Sequence, residues 1–330
     1  MTYLMGRNLL AVENTKKINH YRAIDLFAGI GGIRMGFEQA FHKKIKFVFA
    51  SEIDKYACET YYANYGERPY GDITKIDEKK IPKFDILLGG FPCQAFSIAG
   101  KRKGFEDTRG TLFFEVARIV SYHKPKVVFL ENVKGFQNHD KGKTFKVVKE
   151  TLENLGYKVF SKVLNAKDFG VPQNRERIYI VAFLDHAIEF EFPMPSLATK
   201  SYILTDMLDN NVESKYYYNG KPLFEKIQNE IIEENTIYQW RRQYVRKNKN
   251  GVCPTLTANM GTGGHNVPII RDKIGIRKLT PRECASFQGF PKDFIFPDIV
   301  DSQLYKQCGN SVVVPVINII AKRIKTHFGV

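Results

Sequence analysis

The chain has 330 residues, 43% hydrophobic and 26% charged, with a mean hydropathy of −0.31. No apolar run approaches the roughly 20 residues a membrane helix needs, and the basic N-terminus lacks the apolar core and cleavage pattern of a signal peptide, so a cytoplasmic protein without a membrane partner is expected. The 50 Lys and Arg against 35 Asp and Glu give a net charge of +15, which points to a polyanionic partner, most simply nucleic acid.

The five cysteines, Cys58, Cys93, Cys253, Cys284 and Cys308, are scattered and form no CxxC pair, and the seven histidines are equally dispersed. That argues against a disulfide framework and against structural zinc, and no metal is expected. The length suits one large domain plus a smaller one.

Residues 1–20 read as a polar lead-in. Residues 23–27 form an apolar strand, followed by Ala28-Gly29-Ile30-Gly31-Gly32 and an amphipathic helix over 33–41. Strand, glycine loop and helix together let a ligand approach the backbone at a helix N-terminus, although this loop is not GxGxxG. The next strand, 46–50, ends at Ser51-Glu52. An acid about 20 residues past a glycine loop holds the position that binds ribose hydroxyls in nucleoside-binding α/β folds. A helix over 55–65 leads to Tyr70-Gly71-Asp72-Ile73, with an acid at a third strand edge. Taken singly, Glu52 or Asp72 is as well read as a helix N-cap or a solvated acid. Together with the glycine loop they favour a nucleoside ligand.

The apolar run 84–88 reads as a buried strand that breaks at Gly89-Gly90-Phe91-Pro92-Cys93-Gln94-Ala95-Phe96-Ser97. Ligands bind at such strand ends in open α/β sheets. Cys93 alone is as well explained as a buried structural thiol. The strand 127–130, however, runs directly into Glu131-Asn132-Val133, and a thiol beside a carboxylate suits nucleophilic attack with acid assistance. Residues 101–111 form a basic, glycine-containing loop, and 112–122 and 144–155 are helical. Strand 158–164 precedes Gln173-Asn174-Arg175-Glu176-Arg177 and the strand 178–183. Arg175 and Arg177, at i and i+2 on an extended segment, point the same way. They are either a solvated strand start or a pair aimed at a phosphate or at Glu131.

From about residue 189 the strand–helix alternation stops. Residues 196–275 hold Tyr216-Tyr217-Tyr218, Trp240 and a basic run that includes Arg241, Arg242, Arg246 and Lys247 with no acid inside it. A charge run is often just a solvated face, but in a basic protein it suits phosphate contacts. The segment 255–266 is rich in glycine and small polar groups and suits close approach to base edges. Thr280-Pro281-Arg282-Glu283 reads as a capped helix start, and a last helix runs over 316–327.

The blocks Asp25-Leu26-Phe27-Ala28-Gly29-Ile30-Gly31-Gly32, Gly90 to Ser97, Glu131-Asn132-Val133, Gln173 to Arg177, Arg277 to Cys284 and Gly309-Asn310-Ser311-Val312-Val313 occur in an order that resembles the DNA (cytosine-5) methyltransferase family. Residues 100–114 are especially similar to its small bacterial members. Nearly the whole chain takes part, least so 196–275, where family members differ. The resemblance implies an α/β, Rossmann-like S-adenosylmethionine-dependent methyltransferase domain with a mixed sheet, from 1–190 and 304–330. It further implies a smaller DNA-recognition domain over 191–275 and a hinge over 276–303.

It also implies roles. Cys93 would add to C6 of a flipped cytosine, Glu131 would supply a proton at N3, and Arg175 and Arg177 would hold the carboxylate, the base or its phosphate. Phe27, Gly29, Gly31, Glu52, Asp72, Pro92, Asn310 and Ser311 would surround S-adenosylmethionine, whose product is S-adenosylhomocysteine. Gln94, Ser97, Arg241, Arg242, Arg246, Lys247, Thr255, Asn259, His265 and Asn266 would meet double-stranded DNA. The expected setting is a monomer in the bacterial cytoplasm, nucleoid-associated, the modification enzyme of a restriction–modification system with a cognate endonuclease on the same site. One departure is Ala99, where the pattern has serine. The alternatives are an RNA methyltransferase on the same fold and a catalytically inactive DNA-binding protein. Adenine-N6 methylation is disfavoured because no Asp/Asn-Pro-Pro-aromatic tetrapeptide occurs.

Overall fold

A computed structural model describes residues 20–92, 112–195, 204–234, 236–248, 251–261 and 267–328. The first half alternates strand and helix: β1 (Tyr21–Leu26), α1 (Gly32–Phe41), β2 (Ile45–Ser51), α2 (Lys55–Tyr65), β3 (Ile86–Gly89), α3 (Leu112–His123), β4 (Val127–Val133), the short α4 (Gly135–Asn138), α5 (Lys143–Asn154), β5 (Lys158–Asn165) and β6 (Glu176–Phe183). These strands form one sheet in the order β2-β1-β3-β4-β6-β5. The pairs β1–β2, β1–β3 and β3–β4 are parallel; β4–β6 and β6–β5 are antiparallel, which is the mixed sheet expected.

The central strands β3 and β4 are buried along almost their whole length because both faces are covered, whereas the edge strand β5 is half-exposed. Ala23, Ile86, Leu88, Val127, Phe129 and Val181 point into one cluster with Ile33 and Phe37 of α1 and with Ile317 and Ile320 further along the chain. The alternate residues Ile24, Leu87, Val128, Leu130 and Ile180 point the other way, onto Phe113 and Val116 of α3 and Val148 and Leu152 of α5. Side-chain period two thus feeds two cores from one set of strands.

The second half adds α6 (Phe224–Ile227) and four short strands, β7 (Tyr238–Trp240), β8 (Val245–Lys247), β9 (Ile269–Arg271) and β10 (Ile276–Lys278), in an antiparallel sheet of order β10-β9-β7-β8. Its fourth strand lies at 276–278, inside the stretch expected to act as a hinge. The helices α7 (Pro281–Ser286), α8 (Asp301–Asn310) and α9 (Val314–Thr326) return the chain to the large sheet. The capping box at α7 forms as the sequence predicts: Glu283 N–H donates to Thr280 Oγ1 at 3.0 Å and Thr280 N–H donates to Glu283 Oε2 at 2.7 Å. Helix α9 lies on α1, where a Cβ on Gly36 would come within 2.5 Å of Ile317. A third core cluster joins Ile30 and Ala57 to Tyr216, Leu256, Phe287, Tyr305 and Val314, so the second half packs directly against the glycine loop and α2.

Candidate active site

The parallel strands β1 to β4 all point their C-terminal ends at one cleft of about 570 Å³. Its floor is the loop after β1. Phe27 sits at φ 56°, a left-handed backbone that a bulky residue rarely takes and that marks strain held by its surroundings. Gly29 N–H donates to Glu52 Oε2 at 2.8 Å, and Ile53 and Asp54 N–H donate to Glu52 Oε1, both at 2.8 Å. The Glu52 carboxylate is therefore fixed by three backbone donors while still lining the cleft. Asp72 lines it too, and it caps a 3₁₀ turn by accepting from Thr74 N–H (3.0 Å) and Thr74 Oγ1 (2.8 Å). These bonds hold its carboxyl below the ordinary value. For Asp72, capping and wall position coincide. Pro92, Asn310 and Ser311 also line the cleft. Gly31 is not among the wall residues. It is the left-handed N-cap of α1 at φ 82°, and any Cβ there would lie 2.2 Å from the Tyr65 ring.

At the opposite wall β4 presents Glu131. Its register partner on β6 is Tyr179, and Arg177 stands opposite Val133, the diagonal position from which a long side chain reaches back. Arg177 Nε lies 3.0 Å from Glu131 Oε1, with the two side chains only 13% and 11% exposed. Burial pushes the Glu131 carboxyl up, and the charges of Arg177 and Arg175 only partly offset it. A Cβ placed on Gly90 would lie 3.6 Å from Glu131 Oε2, so the carboxylate faces the loop that carries the thiol three residues on. Asn132 Nδ2 donates to the Phe91 carbonyl at 2.9 Å and ties that loop to β4. Cys93 itself, with Gln94 and Ser97, lies outside the described residues.

Arg175 does something other than pair with Glu131. Its Nη1 donates to the Leu256 carbonyl at 2.7 Å, and its Nη2 donates to the carbonyls of Gly309 (3.0 Å) and Ser311. Burial and the Arg177 charge push its guanidinium down, to about 9, where it stays charged at neutral pH. The parallel aim of the two arginines holds only at the backbone: one serves the carboxylate and the other binds three chain segments together.

A family model for C-5 cytosine-specific DNA methylases matches residues 21–326. The chain belongs to that family. It is 54% identical over 308 residues to the Type II methyltransferase M.Bsp6I of Bacillus sp. (strain RFL6), covering 91% of this chain and 96% of that protein. It is 45% identical over 325 residues to the Type II methyltransferase M.HhaI of Haemophilus parahaemolyticus, covering 94% and 95%. In fold it is similar to S. pombe Dnmt2 methyltransferase, with a TM-score of 0.75 at 20% identity over 94% of this chain and all of that one.

For this C-5 cytosine DNA methylase the residues expected to meet DNA fall in two places. Arg241 and Arg242 sit in the β7–β8 turn and Arg246 and Lys247 on the edge strand β8, all exposed. The run holds no acid in sequence, but Glu233 reaches Lys247 from outside it and forms an ion pair. Thr255 and Asn259 lie on a segment stapled to the stretch that leads into β6: Cys253 N–H donates to the Pro172 carbonyl at 2.6 Å, Asn174 N–H to the Cys253 carbonyl at 2.8 Å, and Thr255 Oγ1 to the Asn174 carbonyl. Asn259 is exposed and accepts from Thr257 Oγ1. His265 and Asn266 lie outside the described residues.

Sequence reasoning assigned no role to several wall residues: Ile53, Asn132, Leu256, Lys306 and Gln307. Two carried a readable signal. Asn132 adjoins Glu131 in a block already singled out, and Gln307 stands one turn before Ser311, the C-cap of the same helix. Ile53, a 73% exposed isoleucine, gains a purpose only once the cleft beside it is seen.

Proposed function

We propose that the chain is a site-specific DNA cytosine-5 methyltransferase of double-stranded DNA that uses S-adenosylmethionine, and that it is the modification enzyme of a restriction–modification system, as the names of its relatives suggest. The observation that carries the mechanism is Glu131, a buried carboxyl with a raised pKa, ion-paired to Arg177 and set against Gly90 of the thiol loop.

The cleft residues fit the cofactor. A strained Phe27 and an open Gly29 leave room for a ligand at the backbone, Glu52 and Asp72 offer acceptors, and Gln307 Nε2 is buried without a partner among the described residues. Glu52 would hold the ribose, Asp72 the adenine amino group, and Asn310 with Ser311 the amino-acid end. When bound, S-adenosylmethionine supplies an electrophilic methyl group to C5.

The target carbon is stacked inside a duplex, so the cytosine is flipped out to reach Cys93. Addition of the Cys93 thiolate to C6 makes C5 nucleophilic. Electron density moves toward N3, where the proton held by Glu131 neutralises it. Arg177 keeps that carboxyl oriented. N3 then returns its proton to Glu131, and loss of the C5 proton to a base expels the thiolate and restores the ring.

A duplex carrying 5-fluorocytosine at the target tests this, since fluorine blocks the last elimination. Wild-type protein is expected to be trapped covalently, and Cys93→Ala to bind DNA without trapping or methylating. Full methylation by Cys93→Ala would overturn the mechanism. Labelled methyl transfer to tRNA rather than duplex DNA would overturn the substrate.

A further inference from the structure

Helix α8 ends at the cleft with Lys306, Gln307, Gly309 and Asn310 in its wall. Gln307 is 4% exposed. Its Oε1 accepts from Thr60 Oγ1 of α2 at 2.8 Å, which fixes the amide between the two helices that wall the cleft. Among the described residues its Nε2 has no hydrogen-bond partner. A buried amide N–H left unpaired costs about 1–3 kcal/mol, and native proteins seldom leave one so. The neighbouring groups of α2 are already engaged. Asp54 accepts from Tyr56 N–H at 3.0 Å and lies 2.6 Å from Lys306 Nζ, and the Thr60 hydroxyl is engaged by Gln307 at 2.8 Å and, more loosely, by the Tyr56 carbonyl at 3.3 Å. Gln307 also stands one turn before Ser311, whose N–H donates to the Gln307 carbonyl at 3.0 Å.

We propose that Gln307 is a further cofactor-binding residue, its side-chain N–H donating to the carboxylate at the amino-acid end of S-adenosylmethionine. This rests on the reading of the cleft as the cofactor site. A carboxylate offers only acceptors and matches an unpaired donor, and the lock by Thr60 orders the amide before the ligand arrives, which lowers the entropic cost of binding.

Calorimetry with S-adenosylhomocysteine, decarboxylated S-adenosylmethionine and 5′-methylthioadenosine separates the cases. The last has the adenosine and sulfur but no amino-acid end. For Gln307→Met, of similar shape, affinity for S-adenosylhomocysteine should fall about tenfold, the loss of one hydrogen bond to a charged group. Affinity for the two ligands without a carboxylate should stay within about twofold. Gln307→Glu should weaken S-adenosylhomocysteine further by like-charge repulsion. The ratio between ligands is read within each variant, so a general loss of stability does not imitate the effect. Equal losses for all three ligands would assign Gln307 to helix packing, and no loss would mean that buried water satisfies the amide. Either result overturns the proposal. Failure of wild-type protein to bind any of the three would instead overturn the cofactor reading.

Discussion

Replacing Arg177 by methionine keeps the bulk of the side chain and leaves the Glu131 carboxyl with no counter-charge in contact. Two unit charges 3.0 Å apart attract by roughly 5 kcal/mol at an effective dielectric near 20, and much of that offsets the desolvation of both groups. Removing one partner of so enclosed a pair is expected to cost about 3 kcal/mol near neutral pH. The cost depends on pH in a definite direction. Burial already raises the Glu131 pKa, so the folded state favours the protonated acid. Such a group contributes its full stability below the unfolded-state pKa and loses it as pH rises toward the folded value. Without Arg177 the folded value is higher still, and the loss continues over a wider range. Urea unfolding from pH 4 to pH 8 should therefore show a small gap between variant and wild type at the acid end, widening toward neutrality. The methylation rate at saturating DNA should fall about a hundredfold, the scale of a misplaced general acid. A stability gap constant across that range would refute the argument and reduce Arg177 to packing.

Glu52→Ala should weaken cofactor binding more than DNA binding by calorimetry, and it should also loosen the Gly29 loop, because three backbone donors lose their acceptor. Arg246→Ala should lower the slope of DNA affinity against salt by about one charge. Lys247→Ala should lower it by less, since Glu233 already engages Lys247, and Glu233→Gln should strengthen binding at low salt. Gly309→Ala should disturb both cofactor and DNA titrations, because its Cβ would lie 2.1 Å from the Thr257 backbone; unchanged affinity for both would show that the crossing gives way freely.

Most of the large sheet was legible in the sequence. Its central strands are apolar runs ending in glycine or an acid, and its helices are bounded by capping residues, so the ends of α2, between Asp54 and Gly66, and the cap of α7 could be placed to the residue. The small sheet was not legible. Its strands are three residues long, too short for a period to register, and β10 is a strand only because it pairs with β9. At the site, residue type gave Glu131 and Arg177, because a carboxylate at a strand end and an arginine on the neighbouring strand are local facts. The separation of Arg175 from Arg177 was invisible, because the carbonyls that capture Arg175 come from positions 256, 309 and 311. No local pattern reports a contact made across such distances in sequence.

The three carbonyls gathered by Arg175 have a consequence for how such a protein can diversify. Leu256 lies between the small-sheet strands β8 and β9, and Gly309 and Ser311 stand at the end of α8; all three line the cleft. One buried cation therefore ties the small-sheet half of the chain to the end of α8, with Gly309 leaving no room for slack between them. Changes in the small sheet upstream of Cys253 should then leave the cleft aligned, provided the contacts made from 253 to 258 are kept.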